Sequence, residues 1–259
     1  MPVLSITDLW RIFGGIQALQ GISLDVGELQ ICGVIGPNGA GKSTLFNCLS
    51  RIYDPDRGSI RFMGIDLLKR RPHHVAGLGI ARTFQNVSLF PSMSVQENVL
   101  IGAHCLLSRS PLSAMLRRPG VQANERLARE KAAAVIEYLN LTSVAKMPAV
   151  GLPFPVQKRV ELARALMSGP RLLLLDEPAG GLTHREVEDL GVLIRRVRDD
   201  WKLTVILVEH HMNLVMGISD RVCVLDFGRK IAEGSPAEVQ SNPEVIRAYL
   251  GESRKERTE

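Results

Sequence analysis

The chain has no apolar stretch that approaches the length of a membrane span, and its N-terminus shows no signal-peptide pattern. Any association with a membrane is therefore expected to run through a partner. Four cysteines, Cys32, Cys48, Cys105 and Cys223, are scattered without paired metal-type spacing. That pattern points to reduced, mostly buried thiols in a cytosolic compartment. There is no tandem repeat and no low-complexity segment. A large excess of one charge is missing too: 32 basic against 27 acidic residues leave a formal +5. A balance this even favours a solvated surface over one built for nucleic acid or anionic lipid. What remains is ordinary for a soluble globular protein, with 45% hydrophobic and 23% charged residues in 259. The length allows one large domain, or one domain with an inserted subdomain.

The most informative stretch is Gly36 to Thr44, which reads GPNGAGKST. It fits the phosphate-loop pattern of Gly, four residues, Gly, Lys, then Ser or Thr. The apolar run Ile31 to Ile35 leads in as a strand, and Thr44 to Leu49 leads out as a helix. Gly36, Gly39 and Gly41 leave room for a polyphosphate to lie against bare backbone, alongside Pro37, Asn38 and Ala40. Amide N–H groups of the turn and the positive end of the helix then face the anion. Lys42 would reach the outer phosphates, and the Ser43 hydroxyl would hold Mg²⁺.

Around this loop, Val3 to Leu9, Ala18 to Val26 and Leu29 to Ile35 read as strands, and Ser59 to Met63 as another, implying an antiparallel sheet beside the loop. From Ser94 to Leu166 the pattern is mostly helical, with Asn124 to Leu141 at helical spacing. Ser108 to Gly120, basic and carrying two prolines, reads as a surface loop. Leu172 to Leu175 and Thr204 to Val208 are continuous apolar runs, the mark of strands buried on both faces. Between them Glu186 to Asp200 is an amphipathic helix. Arg221 to Ala232 reads as a hairpin turning at Phe227-Gly228, and two short helices precede a charged tail, 252–259, expected to fray. Strands alternating with helices around a phosphate loop indicate a mainly parallel α/β core.

Four side chains beyond the loop, Asp176, Glu177, His210 and Gln85, are candidates for chemistry. Asp176 and Glu177 follow a buried strand, which puts two carboxylates at the edge of the sheet where ligands bind in such folds. Asp176 would hold Mg²⁺, directly or through water, and Glu177 would orient or deprotonate the water that attacks the γ-phosphate. Taken alone, the pair could equally cap a turn before Pro178. His210 follows the next buried strand and should emerge at the same edge, where an imidazole would hydrogen-bond the γ-phosphate or the water. His211 is expected to face the other way. Gln85, in a loop between the β-rich and helical parts, would complete the Mg²⁺ shell or is simply solvated. Phe13 would stack on an adenine face or fill the small sheet's core, as would Trp10.

Together these residues resemble the ATP-binding subunits of ABC transporters, over nearly the whole chain. GPNGAGKST is similar to the family's Walker A loop and LLLLDEP to its Walker B strand, with Glu177 as catalytic acid. ARTFQ carries the Q-loop glutamine at Gln85, His210 falls at the switch histidine, and Phe13 at the adenine-stacking aromatic. Gly180 to Thr183 falls at the D-loop. The stretches RTFQNVSLFPSMSVQENVL, VEHHMNLVMGISDRV and NPEVIRAYLGE resemble the ATPase subunits of branched-chain amino acid importers, whose relatives include importers for amides and urea.

The resemblance implies a P-loop NTPase core with a mainly parallel sheet, an antiparallel β-subdomain and a helical subdomain, at roughly 93–166, within a single domain spanning 1–259. It implies ATP and Mg²⁺ as ligands and integral membrane permease subunits as partners, docked on residues 85–98. It further implies a head-to-tail dimer with a second ATPase subunit, an indirect link to a solute-binding protein, and a place on the cytoplasmic face of the cell membrane. No nucleic-acid partner is expected. Soluble ABC ATPases that act on nucleic acid or ribosomes usually carry two ATPase units or coiled-coil insertions, and neither is present. A guanine-reading Asn-Lys-x-Asp of GTPases is also missing.

One departure stands out. Where the family usually has Leu-Ser-Gly-Gly-Gln, this chain has Leu152-Pro153-Phe154-Pro155-Val156. Pro153 has no hydroxyl and Pro155 no N–H, so two charge-assisted hydrogen bonds to a partner's γ-phosphate are lost, ~3–6 kcal/mol in all. If they act in the transition state, that is on the order of 10²–10⁴ in rate. Two expectations follow from this departure: an asymmetric dimer whose other subunit is a different chain, with one slow or binding-only site, or a reshaped helix start that keeps activity.

Overall fold

Ile31–Ile35, Leu172–Asp176 and Thr204–Val208 are buried at every position, as a strand covered on both faces requires. In the computed structural model, which describes residues 2–85, 87–105 and 119–255, they belong to the first of two units. That unit is Met1–Val75 with Arg171–Glu259, and the second is Ala76–Pro170.

The first unit opens with β1 (Leu4–Phe13), β2 (Ile16–Val26) and β3 (Ile31–Ile35). After the helix Lys42–Leu49 come β4 (Arg57–Phe62) and β5 (Ile65–Asp66), and in the second unit the short β6 (Ile80–Arg82). The chain then returns with β7 (Leu172–Asp176), β8 (Thr204–Val208), β9 (Arg221–Asp226) and β10 (Arg229–Gly234). One sheet of the first unit has the order β2-β1-β4-β5, and each of its pairs is antiparallel. The other runs β10-β9-β3-β8-β7, in which β9, β3, β8 and β7 are parallel and β10 is an antiparallel edge. Helices His184–Trp201 and Met212–Ile218 supply the crossovers between its parallel strands. Register decides where the chemistry sits. Asp176 pairs with Val208 and Val34 with Val208, so the residues after β3, β7 and β8 leave the sheet at one carboxyl edge.

The second unit is built on the helices Val95–Ile101, Pro119–Tyr138 and Phe154–Met167, packed pairwise over Val95, Val99, Ala132, Val135, Val160 and Leu166. Gly102 permits the close approach, because a Cβ there would lie 2.0 Å from the Arg164 carbonyl oxygen.

Several boundaries differ from the sequence reading. Leu29 has φ 58°, so β3 starts at Ile31. The tail read as frayed from Glu252 continues the helix Pro243–Lys255, and 256–259 lie outside the described residues. Of the loop read over Ser108 to Gly120, residues 108–118 also lie outside them. Pro119 and Gly120 instead open a helix, where proline's missing N–H leaves no bond unmade.

Candidate functional site

Gly36 ends β3 with φ 153°, and a Cβ at this position would meet the Leu225 carbonyl oxygen at 2.0 Å. Gly41 has φ 100° and forms the N-cap of the helix Lys42–Leu49, whose first turn holds no acidic residue. The loop between them wraps closely around Lys42, which is 8% exposed. Its Nζ donates to the carbonyl oxygens of Gly36, at 2.6 Å, and Pro37, at 2.9 Å. Asn38 to Thr44 line a surface cleft of about 590 Å³ whose other wall is Gly15 to Ala18, Gln20, Glu177 and Phe227. A cation, a helix N-terminus and glycine backbone facing one cleft make a receptor for a polyphosphate.

Glu177 reaches this cleft from the end of β7. Its backbone N–H donates to the Val208 carbonyl at 2.9 Å, and its φ of 45° lies in the left-handed region. Asp176, the last residue of β7, is buried, 5% exposed. At the end of β8 the His210 ring stands with Nδ1 3.9 Å from Glu177 Oε2 and 3.9 Å from Glu209 Oε2, and it is 55% exposed. Glu177 and His210, predicted to share a sheet edge, therefore do meet. Ser43 and Glu177 line the cleft, and Asp176 precedes Glu177 at the end of β7; a hydroxyl and carboxylates are hard oxygen donors of the kind Mg²⁺ takes, so these side chains fit that ion.

Glu209 is a residue the sequence reading passed over. Its carboxylate is fully buried; Oε1 accepts from the Ala179 N–H at 2.6 Å, and Oε2 from the N–H groups of His210 and His211 at 3.0 and 3.2 Å. The signal was present in an acid directly after a buried strand, as with Asp176. His211 corrects an expectation. Its ring centroid lies 4.6 Å from that of His210 rather than on the opposite face, because strand alternation ends with β8 at Val208.

Phe13 is not among the residues lining the cleft. Its ring meets Tyr53 edge-on at 5.2 Å, and the Arg11 guanidinium lies 4.5 Å from its centroid. Trp10 donates from Nε1 to Asp8 Oδ1 at 2.7 Å. The apolar side chains at the cleft are instead Ile16 and Phe227, both exposed. Gln85 belongs to the second unit, where its carbonyl oxygen accepts from Lys158 Nζ at 3.1 Å. In the same unit Pro153 caps the helix Phe154–Met167, with Pro155 in its first turn. The Val156 N–H turns back to the Pro153 carbonyl at 2.9 Å, so this helix start offers few forward donors.

Comparison with known proteins agrees with this architecture. Residues 19–180 match the family described as ABC transporter, and residues 229–255 the family described as branched-chain amino acid ATP-binding cassette transporter. The chain is 44% identical to the high-affinity branched-chain amino acid transport ATP-binding protein BraF of Pseudomonas aeruginosa, over 97% of this chain and 99% of that protein. It is 40% identical to LivG of Escherichia coli, a protein of the same description, with the same coverage. Among solved structures, the ADP conformation of an ATP-binding cassette of an ABC transporter superposes with a TM-score of 0.84 at 32% identity. That superposition covers 97% of this chain and 99% of the other. With a phosphate loop, a pair of acids at a strand end and a parallel core that align end to end with such proteins, the chain belongs to the ABC transporter family, as one of its ATP-binding cassettes.

Proposed function

We propose that this chain is the ATP-hydrolysing subunit of an importer for branched-chain or related amino acids, bound to the cytoplasmic face of the membrane through permease subunits. The observation that carries the reading is that Glu177 lines the cleft walled by the Lys42 loop while His210 Nδ1 stands 3.9 Å from its carboxylate. The loop backbone and Lys42 would hold the β- and γ-phosphates of ATP. Ser43 and Asp176 would hold Mg²⁺, which neutralises phosphate charge when bound. Glu177 would accept the proton of the attacking water, and His210 would hydrogen-bond the γ-phosphate that leaves with it. The similarity to BraF and LivG supports amino-acid cargo, although none of these residues reads a cargo.

We further propose a head-to-tail dimer with a different ATPase subunit. This chain's Lys42, Glu177 and His210 would then be completed by the partner, while the opposite site faces Pro153 to Val156. A solute-binding protein would deliver cargo on the far side. The test is Glu177→Gln in the assembled complex with the partner ATPase subunit inactivated. ATP should still bind, and turnover should be lost. Hydrolysis at the unmodified rate would remove Glu177 from the mechanism. No helix among the described residues is long and apolar enough to cross a membrane. Retention in the membrane fraction should therefore depend on co-expression of the integral subunits.

A further inference from the structure

We propose that Glu209 is a positioning residue for hydrolysis, its buried carboxylate tying the turn that carries Glu177 to the turn that carries His210. The inference rests on the roles given to those two residues above. Glu209 lies at the end of an unbroken apolar strand and is fully buried, in a place where a further aliphatic residue would cost nothing to desolvate. A carboxylate survives there because both of its oxygens are used. Oε1 accepts from the Ala179 N–H at 2.6 Å, two residues beyond Glu177. Oε2 accepts from the N–H groups of His210 at 3.0 Å and His211 at 3.2 Å.

The consequence for Glu177 is that its backbone is held from both sides. Its own N–H donates to the Val208 carbonyl at 2.9 Å, and the turn beyond it is anchored on Glu209, the residue directly after β8. Glu177 has φ 45°, a conformation a non-glycine residue keeps only when its surroundings impose it. The same carboxylate fixes the peptide planes on both sides of the His210 side chain, and so the direction from which the imidazole approaches Glu177. A single group thus sets the mutual placement of the two turns that bear the proposed base and the proposed γ-phosphate partner.

The experiment measures steady-state ATPase of the assembled complex, with its partner ATPase subunit inactivated, for Glu209→Gln and Glu209→Asp. Gln keeps the shape but turns an NH₂ group toward at least one of the three donors, and Asp falls one methylene short of bridging them. Both should lower kcat on the order of 10–100-fold while KM for ATP stays within about twofold, the pattern of lost positioning rather than lost binding. In a His210→Ala background, Glu209→Gln should cost a smaller factor than in the wild type, because the part of its effect that runs through His210 is already gone and only the part through Glu177 remains. If Glu209→Gln is not recovered folded, Glu209→Asp decides on the same criteria. Folded variants with kcat within about twofold of wild type, or losses that multiply in the His210→Ala background, would overturn the role. Controls separate this from the reading beneath it. A wild type that hydrolyses no ATP, or a Glu177→Gln variant as fast as wild type, brings down both. Normal controls with unaffected Glu209 variants bring down the positioning role alone.

Discussion

At the scale of single residues, the phosphate loop is held in shape by lack of space rather than by freedom of the chain. A methyl group on Gly36 would sit 2.0 Å from the Leu225 carbonyl oxygen, on backbone that belongs to the central sheet and cannot retreat. Gly36→Ala should therefore cost ~1–3 kcal/mol and weaken ATP binding, readable as a lower denaturation midpoint and a higher Kd for nucleotide. The cysteines make a second case. Burial pushes the Cys32 thiol up to about 12 and the Cys48 thiol up to about 11, and raises Cys223 further by the same cause. All three should resist thiol reagents in the native state near pH 8 and react once the chain is denatured, which a colorimetric thiol assay measures. Their sign under linkage is that stability falls as pH rises past 9.0, the ordinary thiol value, because the unfolded chain then loses protons first. Cys105 carries no such expectation, since its side chain lies outside those described. Asp176, Glu177 and His210 were readable as residues because each follows an apolar run. The role of Glu209 was not, because its partners are backbone N–H groups brought to it from another strand's turn.

At the scale of elements, helix starts carry much of the local specification. Ser94 and Glu97 form a reciprocal cap on Val95–Ile101, and Ser235 and Glu238 one on Pro236–Ser241. Thr183 and Glu186 do the same for His184–Trp201, directly after the turn that follows Glu177. Ser94→Ala should destabilise the second unit by ~1 kcal/mol, seen as a lowered thermal midpoint. Hydrogen bonds from the Ser94 hydroxyl and N–H hold the Glu97 carboxyl below its usual range. The N–H and then the hydroxyl of Thr183 and of Ser235 do so for Glu186 and Glu238. A depressed carboxyl stabilises above its unfolded value, 4.5, and that stabilisation is lost as pH falls through the folded value. Replacing the three by Gln should flatten the acid limb of the unfolding curve, followed by circular dichroism. The five-residue buried strands were legible because apolar runs this short, closed by turn residues, fall below the length of a buried helix. Pro119 misled for a physical reason. Proline stops a helix from within but starts one well.

At the scale of the whole molecule, the helix start at Pro153 in the second unit is where a partner subunit's site would be tested. Pro153 and Pro155 bring no N–H to this helix start, and the Val156 N–H is turned back to the Pro153 carbonyl. Restoring Ser-Gly-Gly-Gln at 153–156 in the assembled complex should raise its ATPase rate if the site facing this turn is slow. The increase would be on the order of 10²–10⁴-fold for that site, measured with the opposite site inactivated. An unchanged rate would show that the reshaped turn already works.

The order of strands and helices, the phosphate loop and the acids at strand ends were determined by the sequence alone, because each depends on neighbours along the chain: apolar periodicity, turn chemistry, a glycine pattern. Only the tertiary structure decided that Glu177 and His210 meet, that Phe13 packs on Tyr53 and Arg11, and that Glu209 spans two turns. Phe13–Tyr53 and the two Glu contacts join residues far apart in the chain. The Glu177–His210 and Glu209–Ala179 contacts are set by the register of parallel β7 and β8, which no local pattern records.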